Sequence, residues 1–168
     1  MQVALAVVGS IVAALLDTSV TPFASIGGVR PDIVLVTGVV VAVVIGSETG
    51  FVWAFAGGLT LDMLSAPARP VGSSVVALLI VTGLAALVAR VAGRNQAATA
   101  IIVTFPLTYV YQFVFGLLVA AALGGVPPAS PLQSALPTAI ENTVLAVPCA
   151  LVARWAWLRW GVHDRIEW

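Results

Sequence analysis

The stretch Gly28–Ser65, GVRPDIVLVTGVVVAVVIGSETGFVWAFAGGLTLDMLS, constrains this chain more than any other. It holds two apolar runs back to back, residues 32–45 and 51–64, joined by the turn Gly46–Gly50. Acids mark their far ends at Asp32 and Asp62. The pattern predicts a hairpin of two helices that returns both charges to one side. Each run, at 14 residues, would be about 21 Å long at ~1.5 Å per residue. A bilayer's hydrocarbon core is ~30 Å thick. Such helices need a thinned bilayer or neighbouring helices that shield their ends.

A water-soluble fold for this chain is excluded by composition. Charged residues make up 8% of the 168 and hydrophobic ones 61%, with mean hydropathy +1.12. Soluble domains carry about a quarter charged residues, so the class is an all-α integral membrane protein without a sizeable soluble domain. Seven arginines, no lysine and seven acids cancel, which gives no basis for nucleic-acid binding. Cys149 stands alone in an apolar run and reads as a small buried hydrophobe. His163, the only histidine, sits in the C-terminal tail beside Asp164 and Arg165. The N-terminal run lacks a basic leader and a small-residue cleavage site, and reads as a retained first helix.

Punctuation along the chain predicts about six transmembrane helices in one compact domain, residues 3–20, 32–45, 51–64, 73–90, 97–123 and 137–158. Pro22 and Gly27–Gly28 mark the first loop, and Pro31 suits the first turn of the second helix. Pro67, Arg69 and Pro70 mark the connector before the fourth, Gly93 and Arg94 the turn after it, and residues 124–131 the next loop. Pro106 and Pro148 should bend the last two helices. With a cytoplasmic N-terminus, Arg90, Arg94, Arg154, Arg159 and Arg165 fall inside, and Arg30 and Arg69 outside. Basic residues favour the cytoplasmic side, so both termini are expected there, with Trp155, Trp157 and Trp160 as an interfacial belt. Asp17, Arg30, Asp32, Asp62, Arg69 and Glu141 then gather toward the outer side, and Glu48 lies in the inner turn.

Spacing gives the helices faces. Gly50, Ala54, Gly58 and Asp62 recur every four residues, with Trp53, Gly57 and Leu61 beside them. Glycine weakens a helix by about 1 kcal/mol relative to alanine, and tight helix contact is the usual compensation in membranes. This face is expected to be a docking surface ended by Asp62. Ala6, Ser10 and Ala14 form a similar face on the first helix. Thr104, Thr108, Gln112, Gly116 and Ala120 line the fifth helix, and Asn142, Ala146, Ala150 and Arg154 the sixth. Gln112 and Asn142 are the candidates for interhelical hydrogen bonds. No catalytic triad, metal motif or phosphate loop is present, Gly57–Gly58 lying within an apolar helix. Nothing calls for a cofactor, and enzymatic activity is not expected.

The chain resembles the rod shape-determining MreD family of bacteria. The resemblance is carried by Arg30-Pro31-Asp32 before an apolar run, by Gly50–Ser65 (GFVWAFAGGLTLDMLS), by Gly72 before the fourth helix and by Asn142 with Pro148 in the last. It covers most of the chain and is most distinctive over residues 30–74. The arginine-only basic set and tryptophan-rich last turn depart from the family without touching these motifs. The resemblance implies a non-enzymatic inner-membrane subunit of the cell-elongation machinery. It would associate with the bitopic protein MreC and, through it, with MreB, RodA and a class B penicillin-binding transpeptidase. It also implies a fold similar to the substrate-binding subunits of energy-coupling-factor vitamin transporters. That similarity supplies a second expectation, a solute-binding transporter subunit. Asp32, Asp62, Arg69 and Glu141 would line its pocket, and the Ala6/Ser10/Ala14 face would meet a coupling subunit.

Overall fold

A computed structural model describes residues 2–20, 30–65, 70–92, 95–124 and 131–160. All of its regular structure is helical: α1 (Gln2–Val20), α2 (Ile33–Val44), α3 (Ser47–Ser65), α4 (Ser73–Val91), α5 (Gln96–Leu123) and α6 (Pro131–Trp160). Among the described residues, α4, α5 and the Ala135–Arg159 part of α6 are long and apolar enough to cross a membrane; α1 and α2 are shorter apolar helices. This is the architecture of a helical membrane protein.

The second helix organises the rest. A helix that is hydrophobic all round belongs in an interior, and α2 (IVLVTGVVVAVV) has ten of its residues buried. Valine restricts its own rotamers in a helix, so packing rather than propensity holds α2 together. It touches all five other helices. Those five form a ring around it in the order α1, α3, α4, α5, α6, each touching the next, and α1 and α6 do not meet. The core runs along α2, where Val34, Leu35, Val39 and Val40 pack with Leu61, Leu78, Val81 and Leu107 among others.

Three sequence expectations are corrected. The helix expected at residues 51–64 begins at Ser47 and runs 19 residues, about 28 Å at ~1.5 Å per residue. Only Ile45 and Gly46, the latter at φ +146°, separate α2 from α3, and Gly50 N–H already donates to Gly46 O at 3.0 Å. Glu48 therefore lies in the first helical turn, where an acid complements the helix dipole. The sixth helix begins at Pro131, not Pro137. Pro131, expected to end the loop 124–131, instead takes the first helical position, which suits proline. Pro31 lies outside α2, one residue before its N-cap Asp32. Both α5 and α6 continue through Pro106 and Pro148. Pro22, Gly27, Gly28, Pro67, Arg69, Gly93, Arg94, residues 125–130 and the tail with His163, Asp164 and Arg165 lie outside the described residues.

Candidate functional site

Every α-helix leaves its first backbone N–H groups without intrahelical partners. In an apolar medium each unsatisfied group costs several kcal/mol. The acids at the ends of the α2–α3 hairpin meet this need. At the start of α2, the Asp32 side chain accepts from Leu35 N–H at 2.8 Å, and Asp17 Oδ1 of α1 accepts from Ile33 N–H at 2.7 Å. Asp32 N–H donates to Asn142 Oδ1 of α6 at 2.8 Å, and Asn142 Nδ2 donates to Thr108 Oγ1 of α5 at 3.2 Å. Thr108 and Thr104 return their own hydroxyls to the backbone of α5. The N-terminus of the central helix is thus held by α1 and α6, and by α5 through Asn142, which is wholly buried.

The start of α4 is built the same way from a different helix. Its N-cap is Gly72, at φ +97°, which no side chain of α4 caps. Asp62, near the end of α3 and 0% exposed, supplies the acceptor instead. Its Oδ2 accepts from Gly72 N–H at 2.7 Å, and its carboxyl oxygens accept from Ser74 N–H at 3.2 Å. A left-handed backbone favours glycine, and a glycine cap has no side-chain oxygen to offer. The pairing of Gly72 with Asp62 answers both facts.

The glycine face before Asp62 is buried inside the protein. A methyl group added at Gly50 would come within 2.6 Å of Ala42 Cβ, and one at Gly58 within 2.8 Å of Val75 Cα. At Gly57 it would meet Val34 at 2.8 Å and Ser10 at 3.3 Å. Ala54 is wholly buried. The expectation that Gly50, Ala54, Gly57 and Gly58 form a docking surface for another protein is therefore corrected: α1, α2 and α4 already occupy it. The same holds for the small face of α1, where Ala6, Ser10 and Ala14 are buried. Small residues let backbones approach closely, and within one bundle that approach is intramolecular.

Of the polar candidates, Asn142 makes its interhelical bonds and Gln112 makes none, its half-buried amide lying beyond the Thr104–Thr108 segment. Arg30 is exposed. Asp32 and Asp62 serve two different helix starts and do not share a pocket, Glu141 is half-buried on α6, and Arg69 lies outside the described residues. Among the described residues, no three of His, Cys, Asp and Glu gather as metal ligands. Asp17 is not legible from sequence as a partner of α2, nor Thr108 as the partner of Asn142. The signal for Asp17 is an acid near the end of the first helix, and its target lies 16 residues further along the chain.

The site that sequence reasoning did not reach is an apolar groove where the ring of helices is open. It encloses about 380 Å³ and is floored by Val40 and Val41 of α2 and walled by Trp53 of α3 and by Pro148, Cys149 and Val152 of α6. Thr37 also borders it, but its hydroxyl donates to Ile33 O at 2.6 Å and is spent on its own helix. Such a lining offers shape and apolar area rather than hydrogen bonds. No family model, no curated protein and no solved structure matches this chain.

Proposed function

We propose that this chain is a membrane scaffold of the MreD type, which binds the single transmembrane helix of an MreC-like bitopic protein in the groove between α6 and Trp53. The observation that carries the reading is the open ring: α1, α3, α4, α5 and α6 surround α2, and α1 and α6 do not touch. Every other place around α2 is filled by a helix, so one further helix completes the set. The groove lining supports a helix as occupant, because close packing of apolar side chains is what drives helix association in lipid.

On this reading the motif residues act from inside. Asp32 and Asp62 hold the hairpin by its helix starts, and Gly50, Gly57 and Gly58 draw α1, α2 and α4 against α3. All six helices lie in the bacterial inner membrane with both termini cytoplasmic, as the arginine distribution suggests. The protein is not an enzyme; it links its partner, and through it MreB, RodA and a class B penicillin-binding transpeptidase, to side-wall synthesis. The fold is of the kind found in substrate-binding subunits of energy-coupling-factor transporters.

The test is co-expression with the MreC-like protein and a photo-crosslinking residue placed singly at Val41, Val152 or Ile102. Val152 and Val41 border the groove, and Ile102 is exposed on α5. Crosslinks to the bitopic protein from Val41 and Val152, with none from Ile102, are expected. Crosslinks from Ile102 alone, or from no position although the two proteins co-purify, overturn the groove as the interface. Failure to co-purify overturns the scaffold reading itself.

A further inference from the structure

Two buried polar atoms near the middle of the bundle converge on one glycine. Trp53 Nε1 of α3 and Thr82 Oγ1 of α4 make no hydrogen bond among the described residues. A methyl group added at Gly38 of α2 would lie 4.0 Å from each of them. Thr82 is 0% exposed, so neither bulk water nor lipid headgroups reach its hydroxyl. Buried polar groups without partners are rare in native proteins, because each costs the desolvation of that group.

Thr82 also departs from the habit of its neighbours. Thr37, Thr60, Thr104, Thr108 and Thr143 each donate to the carbonyl four residues back in their own helix. Thr82 does not, and its hydroxyl lies toward α2 instead. Gly38 departs too. The other buried helical glycines, Gly50, Gly57 and Gly58, have no room for a methyl group, whereas at Gly38 the nearest atom would be Trp53 Cδ1 at 3.4 Å. Close packing therefore does not require glycine there. What its missing side chain leaves is a bare stretch of α2 facing an indole N–H and a hydroxyl.

We propose that Gly38, Trp53 and Thr82 frame a binding site for a single water molecule. Its oxygen accepts from Trp53 Nε1, and one of its hydrogens is donated to Thr82 Oγ1. A buried water is held by a few hydrogen bonds to groups that lack other partners, and these two groups come from two different helices packed on α2. The water joins α3 to α4 at the level of the core, well away from the bonds that Asp62 makes at the helix end.

Thr82→Val keeps the volume and removes the hydroxyl. If the hydroxyl has no partner, its loss is neutral or stabilising; if it holds the water, the melting temperature in detergent falls by about 2–4 °C, the shift that a loss near 1 kcal/mol gives a chain of this size. The second measurement is nuclear magnetic resonance of ¹⁵N-labelled indoles, with the Trp53 signal assigned by its loss in Trp53→Phe. The Trp53 Nε1–H is expected to show a cross-relaxation peak to water, absent in Gly38→Ser, whose hydroxyl takes the water's place. An unchanged or raised melting temperature for Thr82→Val overturns the proposal. So does a Trp53 indole with no such peak in the native protein, whatever the melting shows.

Discussion

A backbone atom cannot step aside as a side chain can, and this separates the glycines of α3 and α4 from one another. A methyl group at Gly58 would meet Val75 Cα and N at 2.8 and 2.9 Å. Gly58→Ala therefore has to push α4 away from α3, and overpacking of this kind costs about 1–3 kcal/mol. At Gly83 the nearest atoms are the tip of the Phe51 ring at 3.8 Å, so Gly83→Ala is expected to hold or gain stability, up to about 1 kcal/mol from helix propensity. Thermal unfolding followed by circular dichroism in detergent compares the two, and equal behaviour would mean that the α3–α4 contact is not tight. Asp62 makes a similar demand at its own scale. Asp62→Ala strands the N–H groups of Gly72 and Ser74 in a buried place, where each costs about 1–3 kcal/mol. Asp62→Asn keeps one oxygen as an acceptor and is expected to lose less. If the two variants melt together, the oxygen is not what matters.

Helix starts, more than helix faces, explain where this chain keeps its polar residues. The beginning of α2 takes Asp17 from α1, Asn142 from α6 and its own Asp32. Asn142→Leu removes the acceptor of Asp32 N–H and the donor to Thr108 together, whereas Thr108→Val removes the second contact and the bond from its own hydroxyl to Thr104 O. The double variant is therefore expected to be less destabilised than the two singles added together. Interhelical side-chain bonds in membrane proteins couple by about 0.6 kcal/mol, up to about 1.7, and a double-mutant cycle on unfolding in detergent measures the term. Strict additivity would mean that Asn142 does not act through Thr108. How much of this the sequence carries depends on distance along it. The hairpin and the stripe that Asp62 ends are legible, because a spacing of four is written in adjacent turns. Asn142 is legible as a residue for interhelical hydrogen bonds, but not its partners: the Asp32 N–H that its Oδ1 accepts from lies 110 residues away. Gly50 and Gly58 announce a close contact without saying with what, since a helix of the same chain and a helix of another need the same small residues. The start of α6 misleads because Pro131 and Pro137 both suit a first turn, and nothing local to Pro137 marks it as interior. The groove is not legible at all: its walls come from α2, α3 and α6, residues far apart in the sequence.

On the scale of the molecule, α2 is a short buried rod whose surroundings are supplied by all the other helices. A bulky side chain in the groove, Val152→Trp, is expected to leave the fold intact, because Val152 is 63% exposed, and to displace whatever packs against Val40 and Val41. The check is retained melting temperature with loss of the crosslinks at Val41; a protein that still crosslinks there has its partner elsewhere. The order in which the helices leave the ribosome adds a different constraint. Asn142, which completes the N-terminus of α2, is made after α3, α4 and α5. Until α6 is made, α2 lacks one of the helices that cover it, and Asp32 N–H lacks its acceptor. A nascent chain halted after Leu123 should therefore hold α2 loosely and yield to protease near residue 32, and one released after Trp160 should not. The last helix closes the protein from the inside, so damage to residues 131–160 should mark the whole chain for quality control rather than leave a working fragment behind.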